Sequence, residues 1–160
     1  YADHWSVFHK DTTYDLKLNG SDAEGTGTAF GTPTSSVIPV TGGLRASSQT
    51  YIAFLFATVA GVSKVGSYTG NGGTQTIDCG FSNGARFVLV KPTSATGHWA
   101  VFDTERGIVA GNDPYLLLNA NNAQTEDFDE LDPNNSGFAV NHVAGIANVN
   151  GVSYIFYAIA

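Results

Sequence analysis

The apolar residues of this chain come in short β-branched or aromatic runs, separated by Gly, Asn, Pro and Ser. That pattern predicts strands over residues 5–9, 14–19, 37–40, 51–58, 76–81, 86–91, 99–103, 115–119, 137–140 and 154–158. Residues 51–58 (YIAFLFAT) and 154–160 (YIFYAIA) are apolar on both faces, which predicts central strands covered on both sides. Asn-Gly pairs starting at Asn19, Asn71, Asn83 and Asn150 mark tight turns. No long window carries the period of roughly 3.6 that an amphipathic helix needs. The expected fold is all-β, an antiparallel β-sandwich or jelly-roll-like arrangement.

The same pattern occurs twice. His4-Trp5-Ser6-Val7-Phe8 returns as His98-Trp99-Ala100-Val101-Phe102, and Leu16-Lys17-Leu18-Asn19 as Leu116-Leu117-Leu118-Asn119. Pro33, Ser36, Ile38 and Val40 match Pro133, Ser136, Phe138 and Val140, and the run from Tyr51 matches the run from Tyr154. The spacing between matched positions grows from 94 to 100 to 103 residues. Small insertions near 106–114 and 148–151 account for the growth, in Gly- and Asn-containing stretches where loops lengthen at little cost. Residues 1–60 are therefore expected to be an incomplete first unit and residues 61–160 a complete second one. Residues 66–91 have no counterpart ahead of Tyr1. The expectation is that an upstream segment, or another chain, supplies the initial strands that the first unit lacks, since open strand edges are rarely tolerated. A start at Tyr1 instead of Met leads to the same expectation of a processed product or a fragment.

Composition narrows the function classes. Hydrophobic residues make up 42% and charged residues 13%, too apolar for a disordered chain. A net charge of −7 with seven Lys plus Arg argues against nucleic acid and against anionic lipid as partners. The apolar run from Tyr51 is far shorter than the roughly 20 residues of a membrane-spanning helix, so no membrane insertion is expected. Cys79, the single cysteine, reads as a small buried hydrophobe.

Candidate chemistry is sparse. Trp5 and Trp99 share a facing with Val7 and Val101, which favours core, while exposed aromatics such as Trp99, Tyr68 and Tyr115 are the candidate glycan contacts. The acidic stretch 126–132 (Glu126, Asp127, Asp129, Glu130, Asp132) is dense in oxygen ligands for Ca²⁺. It lacks the glycine and spacing of an EF-hand and reads as a solvated loop. Gly70-Asn71-Gly72-Gly73 has no Lys-Ser/Thr after it, so a tight turn accounts for it better than a phosphate cradle. Asp103 and Glu105 beside Arg106 are the one carboxylate pair suited to glycoside hydrolysis, but the matched stretch reads His9-Lys10-Asp11. No catalytic residue, cofactor or metal site is assigned, and no enzymatic activity is expected.

The order Trp-Ser-Val-Phe-His-Lys, then Tyr-Asp-Leu-Lys-Leu-Asn, Thr-Pro-Thr-Ser-Ser-Val and Tyr-Ile-Ala-Phe-Leu-Phe-Ala resembles an uncharacterised domain of marine tailed phages. Residues 61–72 (GVSKVGSYTGNG), Cys79-Gly80-Phe81 and residues 86–91 (RFVLVK) carry the same resemblance, which covers nearly the whole chain. It implies tandem occurrence, often downstream of a laminin-G-like sandwich, in tail-fibre or virion structural proteins. Members of that family carry a strand pair before the first Trp that this chain lacks. The resemblance transfers no site residues. It implies a virion surface module (tail fibre, spike or decoration) with an assembly or host-attachment role, packed against other virion subunits as a homo-oligomer. A host surface glycan is the further expected partner. A carbohydrate-binding module and a polysaccharide depolymerase domain are the rival expectations.

Overall fold

A computed structural model describes residues 4–27, 29–41, 44, 50–141 and 145–160. The chain is all-β and antiparallel, with no α-helix among the described residues. In order the strands are β1 (Ser6–Val7), β2 (Leu16–Lys17), β3 (Ser63–Thr69), β4 (Gln75–Asp78) and β5 (Phe87–Pro92), followed by β6 (Ala100–Asp103), β7 (Tyr115–Leu117), β8 (Leu131–Asn134), β9 (Gly137–Val140) and β10 (Ser153–Ile159). They form a hairpin β1-β2, a five-stranded sheet ordered β3-β10-β5-β6-β7 and a three-stranded sheet ordered β4-β9-β8.

Alternation along the strands builds one core between the two larger sheets. Val88 and Val90 on β5, Phe102 on β6, and Tyr154, Phe156 and Ala158 on β10 face inward, against Ile77 on β4, Leu131 on β8 and Phe138 on β9. Phe138 meets Phe156 edge-on, ring centres 5.3 Å apart at 82°, a favoured aromatic geometry. Cys79 lies in this core, and burial pushes its thiol up to about 11, as an inert small hydrophobe requires.

The expected central strand near the C-terminus is β10, paired along its whole length by β3 on one edge and β5 on the other. Its sequence match does not behave the same way. Residues 51–58 enter no ladder, and their side chains stand exposed. An apolar run specifies a wish for burial, but a strand forms only where neighbours offer a ladder of N–H and C=O groups, and no such ladder is formed with this run among the described residues. The strand expected at 37–40 reduces to a single bridge, Phe30 to Val40. Two strands escape the sequence pattern: β3, interrupted by Gly66, and β8, which contains Pro133. Both are edge strands, where a missing side chain or a missing N–H does little harm.

The two hairpins that the sequence repeat matches share one register. Ser6 faces Lys17 and Val7 faces Leu16, as Ala100 faces Leu117 and Val101 faces Leu116. The Trp5 N–H donates to Asn19 Oδ1 at 3.0 Å, and the Trp99 N–H to Asn119 Oδ1 at 3.0 Å. Leu18 and Leu118 each donate back to the tryptophan carbonyl at 2.8 Å.

Candidate functional site

The hairpin β1-β2 lies on the outer face of the five-stranded sheet. Leu16 packs with Trp99 and Ile155, flanked by Val7, Leu18 and Leu89, so apolar residues from both halves close one small cluster. Trp99 is held there by a hydrogen bond from its indole Nε1 to the Lys17 carbonyl at 2.9 Å. The first half also donates from Glu24 N to Thr93 O (2.8 Å), and Gly97 N donates to Ser21 O (2.8 Å). Ser67 Oγ donates to Asp11 Oδ2 at 2.9 Å. We expect Trp99→Phe to lower stability by about 1 kcal/mol in chemical denaturation, because an aromatic ring is kept while the Lys17 carbonyl loses the indole donor and retains only Gly20 N at 3.1 Å. An unchanged midpoint would mean that water replaces the indole.

Lys91 sits at the same seam. It points away from the sandwich core, yet it is fully buried beneath the loop that carries Asp22. Its ammonium donates to the Asp22 carbonyl at 2.8 Å and to the Pro92 carbonyl at 2.7 Å. Burial pulls its pKa down to about 8, with the Asp22 charge opposing. The unfolded chain then holds more protons than the folded one from that pKa up to the ordinary lysine value. Stability must therefore rise with pH in that window. We expect a gain of up to about 2 kcal/mol between about pH 8 and about pH 9.5, absent from Lys91→Met. Parallel denaturation curves of the two proteins across that range check it.

Two further buried polar groups were missed by sequence reasoning. The Asp113 carboxylate accepts from Val109 N (3.1 Å), Glu130 N (3.0 Å) and Leu131 N (2.7 Å), clamping the β6–β7 loop to the start of β8. Burial raises its pKa to about 6 against the pull of these three donors, with Asp129 adding to the rise. Asn148 is fully buried and accepts from Asn71 N at 2.9 Å, while its amide donates to Asn71 Oδ1 (3.0 Å) and the Gly73 carbonyl. The glycine-rich stretch 70–73 is thus a turn closed from within. A Cβ on Gly70 would come within 2.2 Å of the Val149 carbonyl oxygen. The only sequence signal for either residue was its place inside an insertion.

The candidate glycan contacts do not form a platform. Trp99 and Tyr115 are buried, at 3% and 6% exposure. Tyr68 is half-buried, stacked on Tyr154 with ring centres 5.1 Å apart, and its hydroxyl donates to the Ala147 carbonyl. These rings spend their faces on protein, which corrects the expectation that they stand free for a sugar. The core reading holds for Trp99 but not for Trp5, which is largely exposed and stacked beside Phe54 with ring centres 6.3 Å apart.

Asp103 is occupied by its own turn. It accepts from Arg106 N at 2.9 Å and pairs with the Arg106 guanidinium, while Glu105 points to solvent. The acidic stretch is no open cation loop either. Leu131 and Asp132 belong to β8, and Asn141 Nδ2 donates to Asp129 Oδ1 (2.8 Å) and Asp132 Oδ2 (2.9 Å). Among the described residues no group of three or more His, Cys, Asp or Glu is placed to hold a metal ion.

What the first half leaves at the surface is apolar. Phe8, Ile38, Val40, Tyr51, Phe54 and Leu55 of the first half are all exposed, an unusual number of large hydrophobic side chains left to solvent. The family described as a domain of unknown function, DUF7483, matches residues 1–160, and the chain belongs to that family. No curated protein and no solved structure matches the chain.

Proposed function

We propose, from the premise of membership in DUF7483, that this chain is a structural and surface module of a tailed-phage virion. In this reading it builds a fibre, spike or decoration from β-sandwich repeats, and serves assembly or host attachment without catalysis. One observation supports the reading above the others: matched hairpins in one register, one of them laid on the outer face of the sheet that contains the other. That is how repeat modules grow, each contributing a face that its neighbour covers. The sequence resemblance supplies the phage setting. The buried faces of Trp99 and Tyr115, and the Asp103–Arg106 pair, speak against sugar recognition or hydrolysis at those residues.

The test is direct. Antibody raised against the chain is expected to decorate an appendage of purified phage particles under the electron microscope, and the isolated chain to sediment as a homo-oligomer. Particles that lack the chain would overturn the virion assignment. Release of reducing ends from a capsular polysaccharide would overturn the non-catalytic one.

A further inference from the structure

The core-facing positions of residues 5–59 stand open where their matches in the second half are sealed. Phe8 is 41% exposed and its match Phe102 is 0%; Tyr51 is 48% exposed against 1% for Tyr154, and Leu55 75% against 0% for Ala158. Ile38 and Val40 are exposed where Phe138 and Val140 are fully buried. The residue types correspond, so the difference lies in what covers them. In the second half the cover comes from residues 63–92. There β3 and β5 pair with the two edges of β10, and β4 pairs with β9. Residues 4–60 contain no sequence match to that stretch.

We propose that this open face docks a strand-bearing segment with the chemistry of residues 63–92, presented by a neighbouring repeat of the same family. Residues 51–58 then become the central strand of a second sandwich. The proposal rests on the assembly reading above and names the partner that reading requires. Charge agrees with it: residues 63–92 hold Lys64, Arg86 and Lys91 against the single acid Asp78, whereas residues 1–60 hold five acids against three bases. A second copy of this chain is the poorer occupant, because its β3 and β5 already pair with its own β10; the docking segment must be one not yet folded into a sandwich of its own. Docking by β-strand addition supplies main-chain hydrogen bonds for the vacant edges and an apolar cover for alternate side chains.

The experiment places a copy of residues 61–94 directly before Tyr1 of the full chain, which keeps the spacing of the second half. Amide hydrogen exchange is read by mass spectrometry, with sizing in parallel. The expected result is a monomer whose 51–58 amides exchange at least about tenfold more slowly than in the unextended chain. Leu55→Asp in the extended chain is expected to abolish that protection and leave exchange in β5 and β10 unchanged. Exchange at 51–58 that is as fast with the extension as without it overturns the proposal. So does an unextended chain that dimerises with 51–58 already protected, since the occupant would then be a second copy. Should the extended chain be insoluble, a synthetic peptide of residues 61–94 added to the unextended chain gives the same readout, and absence of protection at saturating peptide overturns the proposal equally. Particles lacking the chain would remove the virion setting and leave this result standing, so the two failures are distinguishable.

Discussion

Asp113→Ala is expected to lower the unfolding free energy by roughly 3 kcal/mol, measured by urea denaturation near neutral pH. Three backbone donors, Val109 N, Glu130 N and Leu131 N, lose their acceptor at once in a region where Asp113 itself is fully buried. Leaving a buried donor without a partner costs about 1–3 kcal/mol. The total stays below three times that figure, because the carboxylate carries its own desolvation cost, as its pKa of about 6 records. That raised pKa fixes the sign of a pH effect. Between the ordinary aspartate value and about 6 the folded state holds more protons than the unfolded one. The stability contributed through this group therefore falls as pH rises through that window. Asp113→Asn retains a carbonyl for two of the donors and cannot titrate. It is expected to cost less than Ala and to remove this part of the slope between about pH 4 and about pH 6. An Ala variant as stable as the native chain would mean that the clamp does not hold the β6–β7 loop to β8.

Gly137→Ala is the second large effect, with an expected loss of roughly 3 kcal/mol. Gly137 opens β9 and faces Asp78 in the β4–β9 ladder. A Cβ there would lie 2.2 Å from the Ile77 carbonyl oxygen and 3.0 Å from both the Cys79 amide nitrogen and its sulfur. The closest obstacle is main chain and cannot rotate away, so the ladder itself must open. It would open beside the bond from Cys79 N to Ser136 O, at 2.8 Å, and the bond from Ala85 N to Gly137 O, at 2.8 Å. Cys79→Ala added to this variant discriminates the cause. Little recovery is expected if the carbonyl is the obstacle, and substantial recovery would assign the clash to sulfur instead.

The sandwich was legible in the sequence wherever burial and pairing coincide. The short apolar runs placed β5, β6 and β9, and the two-faced run placed β10, but on β6 it is Ala100 and Phe102, not Val101, that face the main core. The pattern failed at β3 and β8, whose edge positions tolerate Gly66 and Pro133, so that β3 does not read as a strand and β8 reads as part of an acidic loop. It failed in the opposite sense at 51–58, since side chains advertise a buried strand but carry no information on whether neighbours are present. The seam residue Lys91 and the clamps Asp113 and Asn148 were invisible for a third reason. A charged or amide side chain is read as solvated by default, and only the fold reveals that its partners are main-chain groups. The pairing of each hairpin tryptophan with an asparagine was present in the repeat, but its role as a cap for the tryptophan N–H needed the geometry.

The passage from the open apolar run into β3 is short and tightly tied. Val62 N and Ser63 N both donate to the Val59 carbonyl at 2.9 Å, Gly61 takes a φ of 71°, and Ser63 Oγ donates to the Ala57 carbonyl at 2.8 Å. Such a joint leaves little freedom to swing. In the assembly proposed above, modules strung on it would advance by a constant rotation and rise, so a filament built from them would have its pitch written into a few residues at each junction instead of into the sandwiches.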